Sequence, residues 1–527
     1  MSKNRTWNAG CGAALVVATC LAVQGCHTLP PPVEKIPSPA MAAPDHGPLA
    51  GVSEKVRHRT GWRHDGLLPI TGNKEALEYR LAMIDSSRSS LDIQMFFWMK
   101  DLAGSVLLER VFQAADRGVR VRLLLDDLVL GLTFKDKELA AINSHPNIEV
   151  RIYNPFHRRG GLLMRSLEML ANHEEKNQRM HNKAIIADNT LAILSGRNVG
   201  SHCFGYGKKY NLVDLGVIMT GPVVSEISRS FDRYWNCGAS YSVEAFPRLA
   251  LDDFRLQSNT IIKRMHSRLP RAFPTQKQNW SHLLTRLHRG MHKGHAEYLA
   301  DAPEISSTSR PVLEATIRMA AKSQHDLILV TPYIVPDRRV VDMISSVRKR
   351  GVRVRLLLPS IGSNNHPIVH NQYQKYRKLL LALGVEIYEF KHRPGPSALQ
   401  YLNEGSNKTR KVGLHSKAVV VDSRYCYIGT LNFDGRAIFV NTEEGVCVDS
   451  PPLARVLRQT MEELMLPENA WRLTVDKRGR FLWVSGKETR RSEPTLNVLQ
   501  ATLETILRPF HVRIPAFPDQ QVYRAWP

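Results

Sequence analysis

The sequence is short of acid. It holds 49 Asp and Glu against 72 Lys and Arg, so its 527 residues carry a net charge of +23. A surplus of that size favours an anionic partner, and both a phospholipid surface and nucleic acid fit. Cysteine is sparse too. None of the seven, Cys11, Cys20, Cys26, Cys203, Cys237, Cys426 and Cys447, forms a CxxC pair, so the spacing of a paired-thiol site is missing. The apolar run near the start, Ala13 to Val23, is too short to cross a bilayer as a stable helix. What remains is an ordinary globular composition, 43% hydrophobic, with length enough for several domains or one large two-lobed body.

The basic start at Lys3 and Arg5, the apolar run and Val23-Gln24-Gly25-Cys26 have the layout of a secretory signal. A Cys directly after a small Gly is similar to the cleavage box of bacterial lipoproteins, which implies lipidation of Cys26. Gln24 departs from the usual small residue, and a plain signal peptide or an uncleaved anchor is the competing reading. His27 in place of an Asp favours the outer membrane, on its periplasmic side. The Pro- and Ala-rich stretch from Leu29 to Pro48 reads as an extended tether. Cys11 and Cys20 leave with the signal. Cys203, Cys237, Cys426 and Cys447 then sit in an oxidising compartment, as disulfides or as buried free thiols.

An internal repeat organises the rest. RGVRVRLLL occurs at Arg117 to Leu125 and again at Arg350 to Leu358, an offset of 350 − 117 = 233. Each copy follows a helical pattern: Leu108, Val111, Phe112 and Ala115 in the first, Val340, Ile344 and Val347 in the second. Gly118 and Gly351 sit where a helix C-cap belongs, and the apolar run after each predicts a buried strand. Leu91 to Trp98 and Leu327 to Val335 predict a further strand upstream of each helix, an α/β layer pattern.

A second repeat has nearly the same offset. His181 to Asp188 reads HNKAIIAD, and His415 to Asp422 reads HSKAVVVD, 415 − 181 = 234 residues later. Each runs into a turn ending in Asn, Ser195 to Asn198 and Gly429 to Asn432, with 17 residues from His to Asn in both (198 − 181; 432 − 415). On a strand, His181 and Lys183 point to one face, as do His415 and Lys417. A His attacks phosphorus or moves a proton near neutral pH, a Lys supplies charge for phosphate oxygens, and an Asn adds neutral donors. Breaking a phosphodiester through a covalent intermediate needs two such groups, a nucleophile and an acid for the leaving oxygen.

This doubled HxKxxxxD pattern is identified as the HKD motif of the phospholipase D superfamily, with the repeat covering about Thr60 to Ala470. The strings LDIQMFFW, RIYNPF (Arg151 to Phe156), RMHNK, SGRN and PYIVP resemble bacterial cardiolipin synthases, the C-type especially. A lipoprotein-like start is an addition relative to the polytopic members of that group. The resemblance implies an α/β fold: two pseudo-symmetric α/β/α sandwich lobes with one active site at their interface. It implies a catalytic set of His181, Lys183, Asp188, His415, Lys417 and Asp422. His181 is the implied nucleophile, and His415 the acid for the leaving alcohol and base for the incoming one; pseudo-symmetry leaves the opposite assignment open. Lys183, Lys417, Asn198 and Asn432 would hold the phosphoryl oxygens. Asp188 and Asp422 close the motifs in a more structural than chemical role.

A His nucleophile needs an orienting carboxylate on its other nitrogen. One strand downstream of each His lies an acid: Glu443, 443 − 415 = 28 residues after its His, and Asp214, 214 − 181 = 33 after its own. The expectation pairs each acid with the His of its own half, with Glu444 competing for the place of Glu443.

The expected order is a lipoprotein-type signal (1–26), a Pro-rich tether (27–55), a first lobe (56–240), a basic linker (241–308), a second lobe (309–470) and a C-terminal extension (471–527). The linker's basic runs suit anionic headgroups. Its His288, His292 and His295 lack carboxylate or Cys partners for a metal, and no metal or cofactor is expected, since the lysines take the place of a cation. Leu162 to Leu170 reads as a cap on the site, an acyl-chain contact or core. An apolar helix is expected near Leu496 to Leu507. The implied activity is phosphatidyl transfer to phosphatidylglycerol through a phosphohistidine, making cardiolipin. Its rivals are hydrolysis to phosphatidic acid, a nuclease of the same superfamily, and a lipoprotein with a degenerate site. The signal-like start argues against the nuclease, and two complete motifs argue against the degenerate site. The expected partners are a phospholipid substrate and the membrane surface, not nucleic acid, with a protein partner left open.

Overall fold

The computed structural model describes residues 28–495, apart from 160, 248, 267–272, 275–277, 306, 365, 403–408 and 410. The expected signal with Cys26, and the helix expected near Leu496 to Leu507, lie outside the described residues.

The first half supplies β1 (Asp65–Ile70), β2 (Ser90–Met95), β3 (Arg120–Asp126), β4 (Ile148–Tyr153), β5 (Ala184–Ala187), β6 (Leu191–Ser195), β7 (Asn211–Val213), β8 (Gly216–Thr220) and β9 (Ser240–Ser242). Its sheet runs β1-β8-β6-β5-β2-β3-β4-β9, with β2, β3 and β4 parallel to one another. The second half supplies β10 (His292–Ala300), β11 (Asp326–Val330), β12 (Arg353–Pro359), β13 (Glu386–Phe390), β14 (Val412–Leu414), β15 (Ala418–Val421), β16 (Tyr425–Gly429), β17 (Glu444–Asp449), β18 (Ala470–Val475), β19 (Phe481–Ser485) and β20 (Glu488–Arg490). Its order, β10-β17-β16-β15-β11-β12-β13-β18, matches the first sheet position for position, and β19 and β20 extend it.

The repeat RGVRVRLLL explains this symmetry. Gly118 (φ 91°) and Gly351 (φ 82°) adopt the left-handed turn that ends the helices Leu102–Asp116 and Arg338–Lys349 and launches β3 and β12. The strands are apolar because helices cover both faces of a parallel sheet. The one buried arginine of β3 and of β12 is satisfied in the same way twice. Arg122 grips Asp92 on β2 through two bonds of 2.7 and 2.8 Å and reaches Asp232 at 2.8 Å. Arg355 grips Asp326 on β11 at 2.6 and 3.2 Å and reaches Glu462 at 2.9 Å. A guanidinium tolerates burial only with its donors filled. The helices that carry Asp232 and Glu462, Pro222–Asn236 and Pro451–Leu464, lie between the two sheets. There they share one apolar core, including Leu194, Val217, Phe231, Trp235, Ile428, Val446, Leu453 and Leu457.

Three expected boundaries change. The segment read as a tether is strapped to the first lobe. Lys35 Nζ donates to the carbonyls of Cys237 (2.7 Å) and Ser240 (2.5 Å), Ala40 N donates to Asp232 (2.8 Å), and Arg122 donates to the Ser38 carbonyl (2.5 Å). The helix Pro48–Thr60 then buries Leu49, Val52 and Val56. Prolines remove some of its backbone donors, so this segment docks through its carbonyls, side chains and the N–H groups left between prolines. The expected basic linker contains β10, which pairs with β1 over its first residues and with β17 over the rest, so one strand joins both sheets. The second lobe extends past residue 470, because β18 to β20 continue its sheet. Cys203, Cys237, Cys426 and Cys447 are free thiols, not disulfides. No helix among the described residues is long and apolar enough to cross a membrane.

Candidate active site

Two short parallel pairings stitch the lobes together, and each delivers a histidine. Met180 bridges Thr442, and His181 N donates to the Thr442 carbonyl at 2.9 Å. In the symmetric position β14 pairs with β7, and His415 N donates to the Val213 carbonyl at 2.8 Å. Residues 181–183 and 415–417 therefore do not belong to β5 and β15, as a strand reading expects. They form the links just before those strands, because their backbone is bonded to the opposite lobe. The lysines still return to their histidines. Lys183 Nζ donates to the His181 carbonyl at 2.5 Å, and Lys417 Nζ lies 2.6 Å from the His415 carbonyl and 2.9 and 3.0 Å from its ring nitrogens.

The same pairings correct the expected acid partners. Thr442 precedes Glu443 and Val213 precedes Asp214, so each acid faces the histidine of the other half. His181 Nδ1 is 2.8 Å from Glu443 Oε2, and His415 Nδ1 is 2.7 Å from Asp214 Oδ2. Glu444 turns away from the histidine. It accepts the backbone N–H of Lys183 on one oxygen and the Tyr298 hydroxyl on the other, at 2.9 Å. With Nδ1 engaged by an acid, the nitrogen left for chemistry on each ring is Nε2.

The two histidine–acid pairs are not equivalent. At the position before Arg197, Gly196 leaves no room for a side chain: a Cβ there would meet both Asp214 carboxylate oxygens at 2.6 Å. The counterpart of Gly196 is Thr430, whose hydroxyl donates to Glu443 Oε2 at 2.6 Å. Around Asp214 lie buried guanidinium groups, with Arg197 donating to its carbonyl and Arg80 to Ser195 Oγ. Around Glu443 lie acids, with its N–H donating to Asp301 Oδ2 at 3.0 Å and Glu444 next in the chain.

Acidities follow these surroundings. Burial would raise Asp214, but the bond from His415 and the charges of Lys417 and Arg197 hold it below the usual carboxylate range. Burial raises Glu443 to about 8, against the pull of Lys183, and raises Glu444 and Asp301 to about 7. Both imidazoles are held neutral. Burial, then Lys183 and Lys417, puts His181 well below its ordinary value, and burial followed by Lys417 lowers His415 to about 3. Burial brings Lys183 to about 7 and Lys417 to about 8.

Asn198 and Asn432 are both nearly covered. Asn198 Oδ1 accepts the Phe97 N–H at 3.3 Å, while Asn432 Oδ1 is buried without a partner. Phe96 packs edge-on against the His181 ring with centroids 5.1 Å apart, and Lys183 Nζ stands 5.4 Å from the Phe96 centroid.

The structure separates Asp188 and Asp422 from this cluster. They lie past the far ends of β5 and β15, at positive φ. Asp188 accepts the backbone N–H groups of Arg88, Ser89 and Ser90, and Asp422 those of Gln324, His325 and Asp326. They fasten the turns that lead into β2 and β11. Sequence reasoning missed Phe96, Tyr298 and Asp301, which belong to no repeated motif. Only the packing of β2 and β10 brings them to the site. Among the described residues no group of three or more His, Cys, Asp or Glu could hold a metal ion; His288 lies in the last turn of a helix, and His292 and His295 lie on β10.

A pseudo-symmetric pair of α/β lobes that brings two HKD histidines together defines the phospholipase D class. A family model described as "Cardiolipin synthase, PLD-like domain" matches residues 81–235 and 316–465, one stretch in each lobe, and the chain belongs to that family. It is similar to cardiolipin synthase C of Escherichia coli, with 31% identity over 443 residues, 80% of this chain and 88% of that protein. It is 29% identical over 490 residues to an uncharacterized protein of Helicobacter pylori, 90% of this chain and 93% of that one. Cardiolipin synthase B of Escherichia coli is 21% identical over 428 residues, 78% of this chain and 86% of its own. Among solved structures, phosphatidylserine synthase of Haemophilus influenzae shares the fold, with a TM-score of 0.55 at 12% identity, covering 87% of this chain and 97% of that one. The chain is a phospholipid-modifying enzyme of the phospholipase D superfamily.

Proposed function

We propose that the protein makes cardiolipin by transferring a phosphatidyl group to phosphatidylglycerol through a phosphohistidine. His181 Nε2 attacks the donor phosphorus, the bond from phosphorus to the head-group oxygen breaks, and His415 gives that oxygen a proton. His415 then takes the proton of a phosphatidylglycerol hydroxyl. The freed oxygen attacks phosphorus, and the bond from phosphorus to His181 breaks. Lys183, Lys417, Asn198 and Asn432 line the phosphoryl oxygens.

The observation that carries this division of roles is the inequality of the two acids. An imidazolium gains most beside an anion. Asp214 is the ionised acid, so His415 is the ring suited to take up and release a proton. Glu443, held neutral, orients His181 without attracting a proton to it. The bound phosphodiester supplies negative charge opposite both lysines, which restores proton affinity to His415 when substrate is present. The similarity to cardiolipin synthase C supports the choice of lipid product. We also propose a position on the periplasmic side of the outer membrane, held by lipid on Cys26, on the strength of the signal-like start at Lys3 to Cys26.

The test is lipid turnover by purified protein, with phosphatidylethanolamine and phosphatidylglycerol offered together and separately. Cardiolipin formed by the native chain, and lost in both His181→Ala and His415→Ala, is the expected result. Phosphatidic acid as the sole product would replace the transferase with a hydrolase.

A further inference from the structure

The geometry points to the helix Gly161–Ala171 as the part of the enzyme that enters the lipid surface, seating the mouth of the active site on the bilayer. This rests on the reading of the site as one that works on phospholipid.

The helix is held on one side and bare on the other. Its buried Arg165 donates to the Asp127 carbonyl at 3.1 Å and presses on Gly131, where a Cβ would stand 2.3 Å from the guanidinium. Its buried Glu168 accepts the N–H groups of His157 (2.8 Å) and Arg158 (2.7 Å). The opposite face carries Leu163, Leu167 and Leu170, at i, i+4 and i+7, which are 66%, 44% and 75% exposed. Leu132, beside Gly131, is 66% exposed as well. Leucines anchored this firmly and left in water on one face are a surface built for an apolar partner.

Three observations identify that partner as lipid. First, the patch is tied rigidly to the site. Asp127 holds the helix, while the adjacent Asp126 accepts the backbone N–H of Met180 at 2.8 Å, one residue before His181. Second, the start of the described chain docks at the same place. Leu29 N donates to the His157 carbonyl at 2.6 Å and Thr28 forms a β-bridge with Arg158. In the sequence Cys26, the expected lipidation site, stands two residues before Thr28. Third, Arg158, the bridge residue itself, is exposed next to the helix, a cation beside apolar side chains that suits anionic headgroups over acyl chains.

The test places Leu163→Cys, Leu167→Cys, Leu170→Cys and, as control on the other lobe, Val475→Cys in the full chain. Each carries an environment-sensitive fluorophore in vesicles of phosphatidylglycerol and phosphatidylethanolamine brominated in their acyl chains, and the chain without an introduced cysteine sets the background. The expected result is a blue shift with quenching at the three helix positions and neither at Val475. The combined Leu163→Ser, Leu167→Ser and Leu170→Ser chain should turn over vesicle lipid on the order of tenfold more slowly. Probes that stay in water at all three helix positions, or equal quenching at Val475, would overturn the inference and leave the patch to a protein partner. Product formation is followed on the same vesicles. Turnover without quenching defeats only the membrane-seating helix, and quenching without turnover defeats only the phosphatidyltransferase reading.

Discussion

His181 and Glu443 are 262 residues apart in the chain, yet Nδ1 of one lies 2.8 Å from Oε2 of the other. The partner of His415, Asp214, likewise comes from the opposite lobe. Neither half can assemble a working histidine alone. A lobe that shifted against its neighbour would uncouple both rings from their acids at once.

The inequality of the two acids has a direct consequence. Replacing the ionised Asp214 with Asn removes the charge that stabilises a protonated His415, while replacing the neutral Glu443 with Gln keeps an acceptor of the same shape at Oε. In steady-state lipid turnover, Asp214→Asn should lose roughly 10³-fold or more, as when the carboxylate of a catalytic triad becomes an amide, and Glu443→Gln should stay within about tenfold of wild type. The reverse ranking would exchange the roles of the two histidines.

Gly196 should resist even its smallest replacement. The new Cβ of Gly196→Ala would stand 2.6 Å from both oxygens of Asp214, and the carboxylate must swing away from His415 to admit it. A displacement of about 1 Å at a catalytic group costs on the order of 10²-fold. Loss of kcat in a protein that keeps its melting temperature is the expected signature.

The motif aspartates should behave differently from the motif histidines. Asp188→Ala strips the acceptor from three consecutive N–H groups at Arg88, Ser89 and Ser90. Leaving the buried Ser90 donor unpaired costs about 1–3 kcal/mol, and the Arg88 and Ser89 groups, open to water, add less. Denaturant titration should record that loss, while the protein that remains folded retains its turnover per molecule. A full loss of turnover at wild-type stability would return Asp188 to the chemistry.

Glu443 should leave a mark on stability against pH. Its folded-state acidity, raised to about 8 from an ordinary 4.5, means that the folded chain holds a proton the unfolded chain has released between those values. The contribution of this proton is fully present below the ordinary value and is lost as pH rises towards 8. The melting temperature of wild type minus that of Glu443→Gln should therefore fall between about pH 5 and about pH 9. A flat difference would show that Glu443 is ionised throughout.

The order of elements and the chemistry of the site were legible in the sequence because both are carried by local pattern. Gly118 and Gly351, the buried runs Val121 to Leu125 and Val354 to Leu358, and the two HxK steps each encode their own turn, strand or side-chain pair within a few residues. Such signals depend on neighbours in the chain, and the repeat doubled their weight. What only the tertiary structure decided is how the two copies meet. The crossing of each acid to the other histidine follows from the pairing of β7 with β14 and of Met180 with Thr442, contacts between residues about 200 or more apart. The docking of residues 28–47 along the first lobe, the strand β10 shared by both sheets, and the upward push on the acidity of Glu443 from its burial arise the same way. Each depends on which surfaces are pressed together and how much water is excluded between them, and no window of sequence carries that information.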